Sequence, residues 1–133
     1  MTSVYLQQTQ GIGLSTLDRI YQVRLVDGNN LDQGRLEVYH NGTWGSVCDD
    51  YWSTKDAQVV CREIGLPVAG ARASYYGQFE EGVGEIWMDN VTCSGSENNL
   101  SECGHAGWGT HNCGHDEDAG VICEGSKLAR TLF

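Results

Sequence analysis

Six cysteines constrain this chain more than any other feature. They stand at Cys48, Cys61, Cys93, Cys103, Cys113 and Cys123. An even set of this size is either a metal-binding framework or a disulfide framework. His105, His111 and His115 bring zinc into consideration. Structural zinc sites usually draw ligands from close Cys-x-x-Cys pairs, and none occurs here. Gly109 and Gly114 also oppose the helix on which His111 and His115 would share a face. Three disulfides made in an oxidising compartment fit better. Three N-glycosylation sequons agree with that placement: Asn41-Gly42-Thr43, Asn90-Val91-Thr92 and Asn99-Leu100-Ser101. The chain therefore reads as extracellular, secreted or part of a receptor ectodomain. Cysteine spacing by itself leaves the pairing open.

Charge removes several function classes. The formal net charge is -10, so a general nucleic-acid binder, which needs a basic stripe, is excluded. Simple attachment to an anionic membrane is disfavoured for the same reason. Cations and cationic partners remain open. No apolar run is long enough to span a bilayer. Residues 1–10 lack a basic region followed by an apolar core and do not read as a signal peptide. If the protein is secreted, its signal has been removed, or this is one piece of a longer chain. The length of 133 residues suits one domain, and 18 glycines with one proline suit short strands joined by many turns.

The stretch from Trp44 to Gly65 concentrates the most information. Ser53 can cap a helix, with Asp56 three residues on completing a box. Ala57, Val60, Cys61 and Ile64 fall at helical spacing on one apolar face. Gly65 offers a left-handed stop and Pro67 forbids continuation. Cys61 thus points to the core. Asp49 and Asp50 precede the helix on a loop, where two neighbouring carboxylates repel unless a cation lies between them.

Along the rest of the chain, residues 1–22 read as a linker, stalk or appended segment, 23–124 as the domain and 125–133 as a tail. Val23–Val26 is a predicted strand. Gly34 to Val47 is a predicted hairpin turning at Asn41-Gly42, with Leu36, Val38 and His40 alternating with Arg35, Glu37 and Tyr39. Ala69–Gly84 reads as an irregular excursion. Glu85–Val91 and Ala119–Cys123 read as strands, Asn98–Ser101 as one helical turn and Gly104–Asp118 as a long loop. Trp44, Trp52, Trp87 and Trp108 are expected in the core or packed on disulfides, not as ligand platforms. Tyr75, Tyr76 and Phe79 are candidates for exposed contact. No Gly-x-Ser-x-Gly, no His-Glu-x-x-His and no spare thiol supports an enzyme, so the chain reads as non-catalytic.

These residues, in order, resemble a known family. Val23-Arg24-Leu25-Val26, Gly34-Arg35-Leu36-Glu37-Val38 and Trp44-Gly45-Ser46-Val47-Cys48-Asp49-Asp50 open the series. Val59-Val60-Cys61-Arg62, Ile86-Trp87-Met88-Asp89, Trp108-Gly109, His111-Asn112-Cys113 and Glu117-Asp118-Ala119-Gly120-Val121 continue it. The set is similar to the scavenger receptor cysteine-rich (SRCR) domain over Val23 to Cys123. The extra cysteine pair of the eight-cysteine group would fall near Asp32 and Leu66 and is absent, so the likeness is to the six-cysteine group A. That resemblance implies an α+β fold, a curved antiparallel β-sheet cradling one α-helix. It implies the pairs Cys48–Cys113, Cys61–Cys123 and Cys93–Cys103. It also implies a Ca2+ or Mg2+ site at Asp49, Asp50 and Glu117, and, as in some members, a second site at Asp56, Asp89 and Asn112.

The resemblance implies a ligand-binding module of scavenger or innate-immune receptor type, with polyanionic or microbial ligands bound through the cation. Alternatives are a metal-independent domain that recognises or adheres to extracellular or cell-surface proteins, and an accessory module of a larger secreted enzyme. One theme of the family does not transfer. Only Arg24, Arg35, Lys55, Arg62 and Arg72 lie in the matched region, so a purely basic docking face is not expected.

Overall fold

The computed structural model describes residues 22–124. The expected linker at 1–22, apart from Gln22, and the tail at 125–133 lie outside the described residues. The strands are β1 (Val23–Val26), β2 (Gln33–His40), β3 (Thr43–Val47), β4 (Gly70–Ser74), β5 (Ile86–Met88) and β6 (Gly120–Glu124). One helix, α1 (Thr54–Glu63), and two short 3-10 turns, Leu100–Glu102 and His115–Glu117, complete the elements.

β2 is the hub of the six-stranded sheet. Residues 35–38 pair with β1, 33–35 with β6 and 37–40 with β3, all antiparallel. β6 carries β4 antiparallel on its other side. β3 carries β5, and that pairing is parallel, so the sheet is mixed rather than wholly antiparallel. The chain reaches β5 only after α1 and β4, and this long crossover brings it back in the direction of β3. β4 lies inside the stretch expected to be irregular. Its sequence, Gly-Ala-Arg-Ala-Ser, has almost no β-formers, and its pairing with β6 supplies what propensity lacks.

α1 packs in the hollow of the sheet. Ser53 donates its backbone N–H to Asp56 Oδ2 at 2.8 Å and its hydroxyl to the same oxygen at 3.1 Å. At the far end Gly65 takes φ +75°. Its N–H donates to the Arg62 carbonyl and that of Leu66 to Cys61, the paired bonds of a Schellman motif. Ala57, Val59, Val60 and Cys61 are fully buried against Leu36, Val38, Val47, Met88, Leu100 and Val121. Burial of Val59 widens the apolar face beyond the expected stripe.

Three disulfides join Cys48 to Cys113, Cys61 to Cys123 and Cys93 to Cys103, as the resemblance implied. The second ties α1 to β6. The first ties the end of β3 to the long loop before the final strand.

The polar face of β2 is not solvated. Arg35 and Glu37 are both only 8% exposed. Arg35 pairs with Asp27 at 2.6 Å and Glu37 at 3.0 Å, and Arg24 closes on Glu37 at 2.6 Å while stacking over Trp44. Arg35 also donates to the Glu80 carbonyl, so the 77–84 segment covers this face. Trp52 is buried and Trp87 packs partly buried against the core, whereas Trp108 is 39% exposed, which corrects the expectation of an interior position for that residue. Trp108 sits in the long loop and stacks on His40 at the open rim of the sheet.

Candidate cation and ligand site

The end of β3 sets the first half of the site. Cys48 forms an isolated bridge with Asp118, and Asp49 donates its N–H to the Glu117 carbonyl at 2.8 Å. The Cys48–Cys113 disulfide crosses the same place. Glu117 Oε1 lies 3.5 Å from Cys48 Sγ, and Asp50 Oδ2 lies 3.8 Å from Cys113 Sγ. Two carboxylates therefore stand on the two sulfurs of one bridge. Asp49 joins them: carboxylate oxygens of Asp49, Asp50 and Glu117 fall within 4.8 Å of one another. All three side chains are half-buried.

The electrostatics are those of unsatisfied like charge. Desolvation pushes the Asp49 carboxyl above its ordinary range, as do Asp50, Asp116 and Asp118, while an N–H from Tyr76 at 2.7 Å partly offsets them. Partial desolvation with Asp50, Asp116 and Asp49 raises Glu117 likewise. No Lys or Arg pairs with any of the three among the described ion pairs.

A buried pair supports this corner from behind. Asp118 is 1% exposed and accepts the Gly82 N–H at 2.7 Å and His115 Nδ1 at 2.9 Å. The other ring nitrogen of His115 meets the Gly84 carbonyl at 3.0 Å. Both nitrogens face acceptors, which favours the imidazolium. Although desolvation pulls its pKa down, Asp118 and the Gly84 carbonyl leave it raised. Gly82 is required by close approach, since a Cβ there would meet Ser46 Oγ at 2.8 Å.

The acids open on a concavity of about 470 Å³. Its walls include Tyr51, Tyr75, Tyr76 and a fourth acid, Asp116. Tyr51 and Tyr76 are 77% and 80% exposed, and both hold left-handed backbone. Tyr75 and Tyr76 are exposed as expected, whereas Tyr51 and Asp116 were not singled out in the sequence. Asp116 had a signal, the acidic run at 116–118; Tyr51 had none beyond adjacency to Asp50.

The second proposed ligand set is arranged differently. Asp56 is 1% exposed, with Oδ2 taken by Ser53 and Oδ1 accepting the Cys93 N–H at 2.8 Å. Asp89 is buried and approaches Asp50 over the same disulfide, and Asn112 is exposed next to Cys113. Asp56 is thus committed to its helix cap and to Cys93. His105 and His111 serve local turns: His105 Nδ1 accepts from Gly107 N–H and His111 Nδ1 from Cys113 N–H. Asn41, Asn90 and Asn99 are all exposed.

A sheet curled round one helix, stapled by three disulfides and carrying an open acidic face, defines a small extracellular recognition module. The chain belongs to the scavenger receptor cysteine-rich domain family, whose model matches residues 26–124. Its three disulfides make it the six-cysteine type. Human CD5 antigen-like is 51% identical over 109 residues, 79% of this chain but only 30% of that protein. The third SRCR domain of murine neurotrypsin is 50% identical with a TM-score of 0.72, over 79% of this chain and 97% of that one. The dimeric form of the mouse MARCO SRCR domain is 48% identical with a TM-score of 0.64, over 76% and 93%. Domains of this family are receptor and recognition modules, and no helix among the described residues is long and apolar enough to cross a membrane.

Proposed function

We propose that this module binds extracellular ligands through a divalent cation, Ca2+ or Mg2+, held by Asp49, Asp50 and Glu117. The observation that carries the reading is the convergence of three uncompensated carboxylates on one disulfide, at the mouth of an open concavity. The donor set fits a hard cation, which takes oxygen ligands and completes its shell with water or carbonyls. Desolvation and then the neighbouring acids raise Asp49 and Glu117, and a dication offsets that penalty on their charged forms. It also turns an acidic patch into a place where sulfate, phosphate or carboxylate groups bind. Without it, a chain of net charge -10 repels a polyanion. No catalytic constellation is part of this reading.

The test is calcium titration with thermal unfolding and polyanion binding in parallel. Calcium is expected to raise the melting temperature through selective binding to the folded state. Glu117→Gln and Asp49→Asn are expected to remove that rise and the calcium-dependent ligand binding together. In chelator, Glu117→Gln is expected to be at least as stable as the wild type at neutral pH, because one repelling charge is gone. Equal polyanion binding in calcium and in chelator would sink the cation bridge.

A second reading is favoured by the exposed Tyr51 and Tyr76 beside the acids. Aromatic walls with an acidic floor suit a lysine or arginine of a partner protein without metal. Binding of that kind ignores chelator, weakens in salt and is lost in Tyr76→Ala.

A further inference from the structure

The rim of the sheet opposite the acidic pocket carries a second surface. β2 turns into β3 at Asn41-Gly42, where both residues are left-handed at φ 51° and 81° and His40 pairs with Thr43. This is a two-residue type I′ turn. Asn41, Gly42 and Thr43, the whole sequon, are exposed at its tip. One residue away, the His40 ring stacks flat on Trp108, with centroids 3.9 Å apart and planes 5° from parallel. Trp87 meets His40 edge-on at 4.9 Å, and His105 meets Trp108 at 5.0 Å. Trp108 remains 39% exposed. Two of these rings, His105 and Trp108, lie in the 104–110 loop, which has no regular strand; backbone bonds hold it to residues 87–92, and the His40–Trp108 stack brings it against the hairpin.

We infer that Asn41 carries an N-linked glycan whose first sugar lies on the His40–Trp108 shelf and clamps the 104–110 loop to the hairpin. A pyranose has an apolar C–H face that packs on aromatic rings, while its hydroxyls stay in water; a half-exposed indole offers both conditions. In the secretory pathway the donor is a lipid-diphosphate-linked oligosaccharide. The Asn41 amide nitrogen forms the bond to sugar C1, the C1–O bond to the lipid diphosphate breaks, and the amide gives up one proton. The other two sequons are placed differently. Asn99 Nδ2 donates to Glu102 Oε2 at 3.1 Å, and it borders a hollow that Trp108 also lines. Asn90 follows the buried Asp89 and accepts from the Thr92 hydroxyl at its own carbonyl. β3 runs from the Asn41 turn towards Asp49, so a sugar at the tip leaves the acidic pocket open.

The experiment expresses the full chain behind a secretory leader in mammalian cells and maps occupancy by glycosidase release with isotope labelling. The glycans are then trimmed to one N-acetylglucosamine. Asn41 is expected to be occupied, and its single sugar to raise the melting temperature by about 4 °C relative to Asn41→Gln. Amides in the 104–110 loop are expected to exchange more slowly when it is present. Trp108→Ala is expected to abolish the increment between glycosylated and Asn41→Gln forms, whereas Trp108→Phe retains it. Should Trp108→Ala fail to fold, His40→Ala serves the same comparison. The inference is overturned if Asn41 is unoccupied, if the increment survives loss of the ring, or if it follows Asn99→Gln instead.

Discussion

His115 shows how one side chain joins two loops. It is the only described bridge between the buried Asp118 carboxylate and the Gly84 carbonyl. Its folded-state pKa is raised above the ordinary 6.5. The stability it contributes is therefore fully present below that value and is lost as pH rises through the folded pKa. His115→Ala is expected to cost about 1–2 kcal/mol near pH 6, because Asp118 loses a charged partner, and much less near pH 9. Denaturant melts of both proteins at the two pH values, in chelator, measure this; an equal cost at both would reject the charged form. Asp49 and Glu117 act in the same direction for a different reason. They are carboxylates whose pKa the fold raises, so the metal-free protein loses stability as they ionise.

At the scale of elements, α1 is anchored at both ends by devices of unequal worth. Asp56 caps the helix and also holds the Cys93 N–H, inside the protein. Asp56→Ala is expected to cost about 2–4 kcal/mol, a lost cap plus a buried donor left unpaired. Gly65→Ala is expected to cost only about 1 kcal/mol. Its φ of +75° is unfavourable for alanine, but nothing lies within 4 Å of the added carbon. Urea unfolding of the two variants checks the ratio. If Asp56→Ala proved as mild as Gly65→Ala, the link between α1 and the Cys93 segment would carry no weight.

Over the whole molecule, the disulfides divide the labour. Cys48–Cys113 and Cys61–Cys123 close 65 and 62 residues, against 10 for Cys93–Cys103. In the chain-entropy view the long closures contribute about 4 kcal/mol each and the short one about 3 kcal/mol. Double serine variants are expected to follow that order in thermal stability. Their effects on calcium should differ more sharply. Removing Cys48–Cys113 is expected to abolish the calcium shift, because Asp50 and Glu117 stand on its sulfurs. Removing Cys93–Cys103 should leave the shift intact in whatever protein remains folded. Calorimetry with and without calcium distinguishes the two.

What the chain determined locally was legible in one dimension. The α1 cap, its apolar stripe, the Gly65 stop and the Asn41-Gly42 turn each depend on residues within a few positions of one another. The disulfide framework was readable because an ordered series of residues matched a family, not because spacing selected the pairs. Tertiary structure decided the rest. β4 exists because β6 pairs with it, and β5 runs parallel because the crossover returns it beside β3. Arg35 and Glu37 were legible only as the polar half of an alternating strand; the 77–84 segment and Arg24 cover them. Trp108 looked like core and instead shelves the rim. Asp49 and Asp50 were visible as neighbours, but the approach of Glu117, the Tyr51 and Tyr76 walls and the His115–Asp118 support arise from contacts across long stretches of chain. Sequence sets which side chains repel or pack over one turn; only the folded chain brings distant carboxylates together, since only closure of the long loops places them on one bridge.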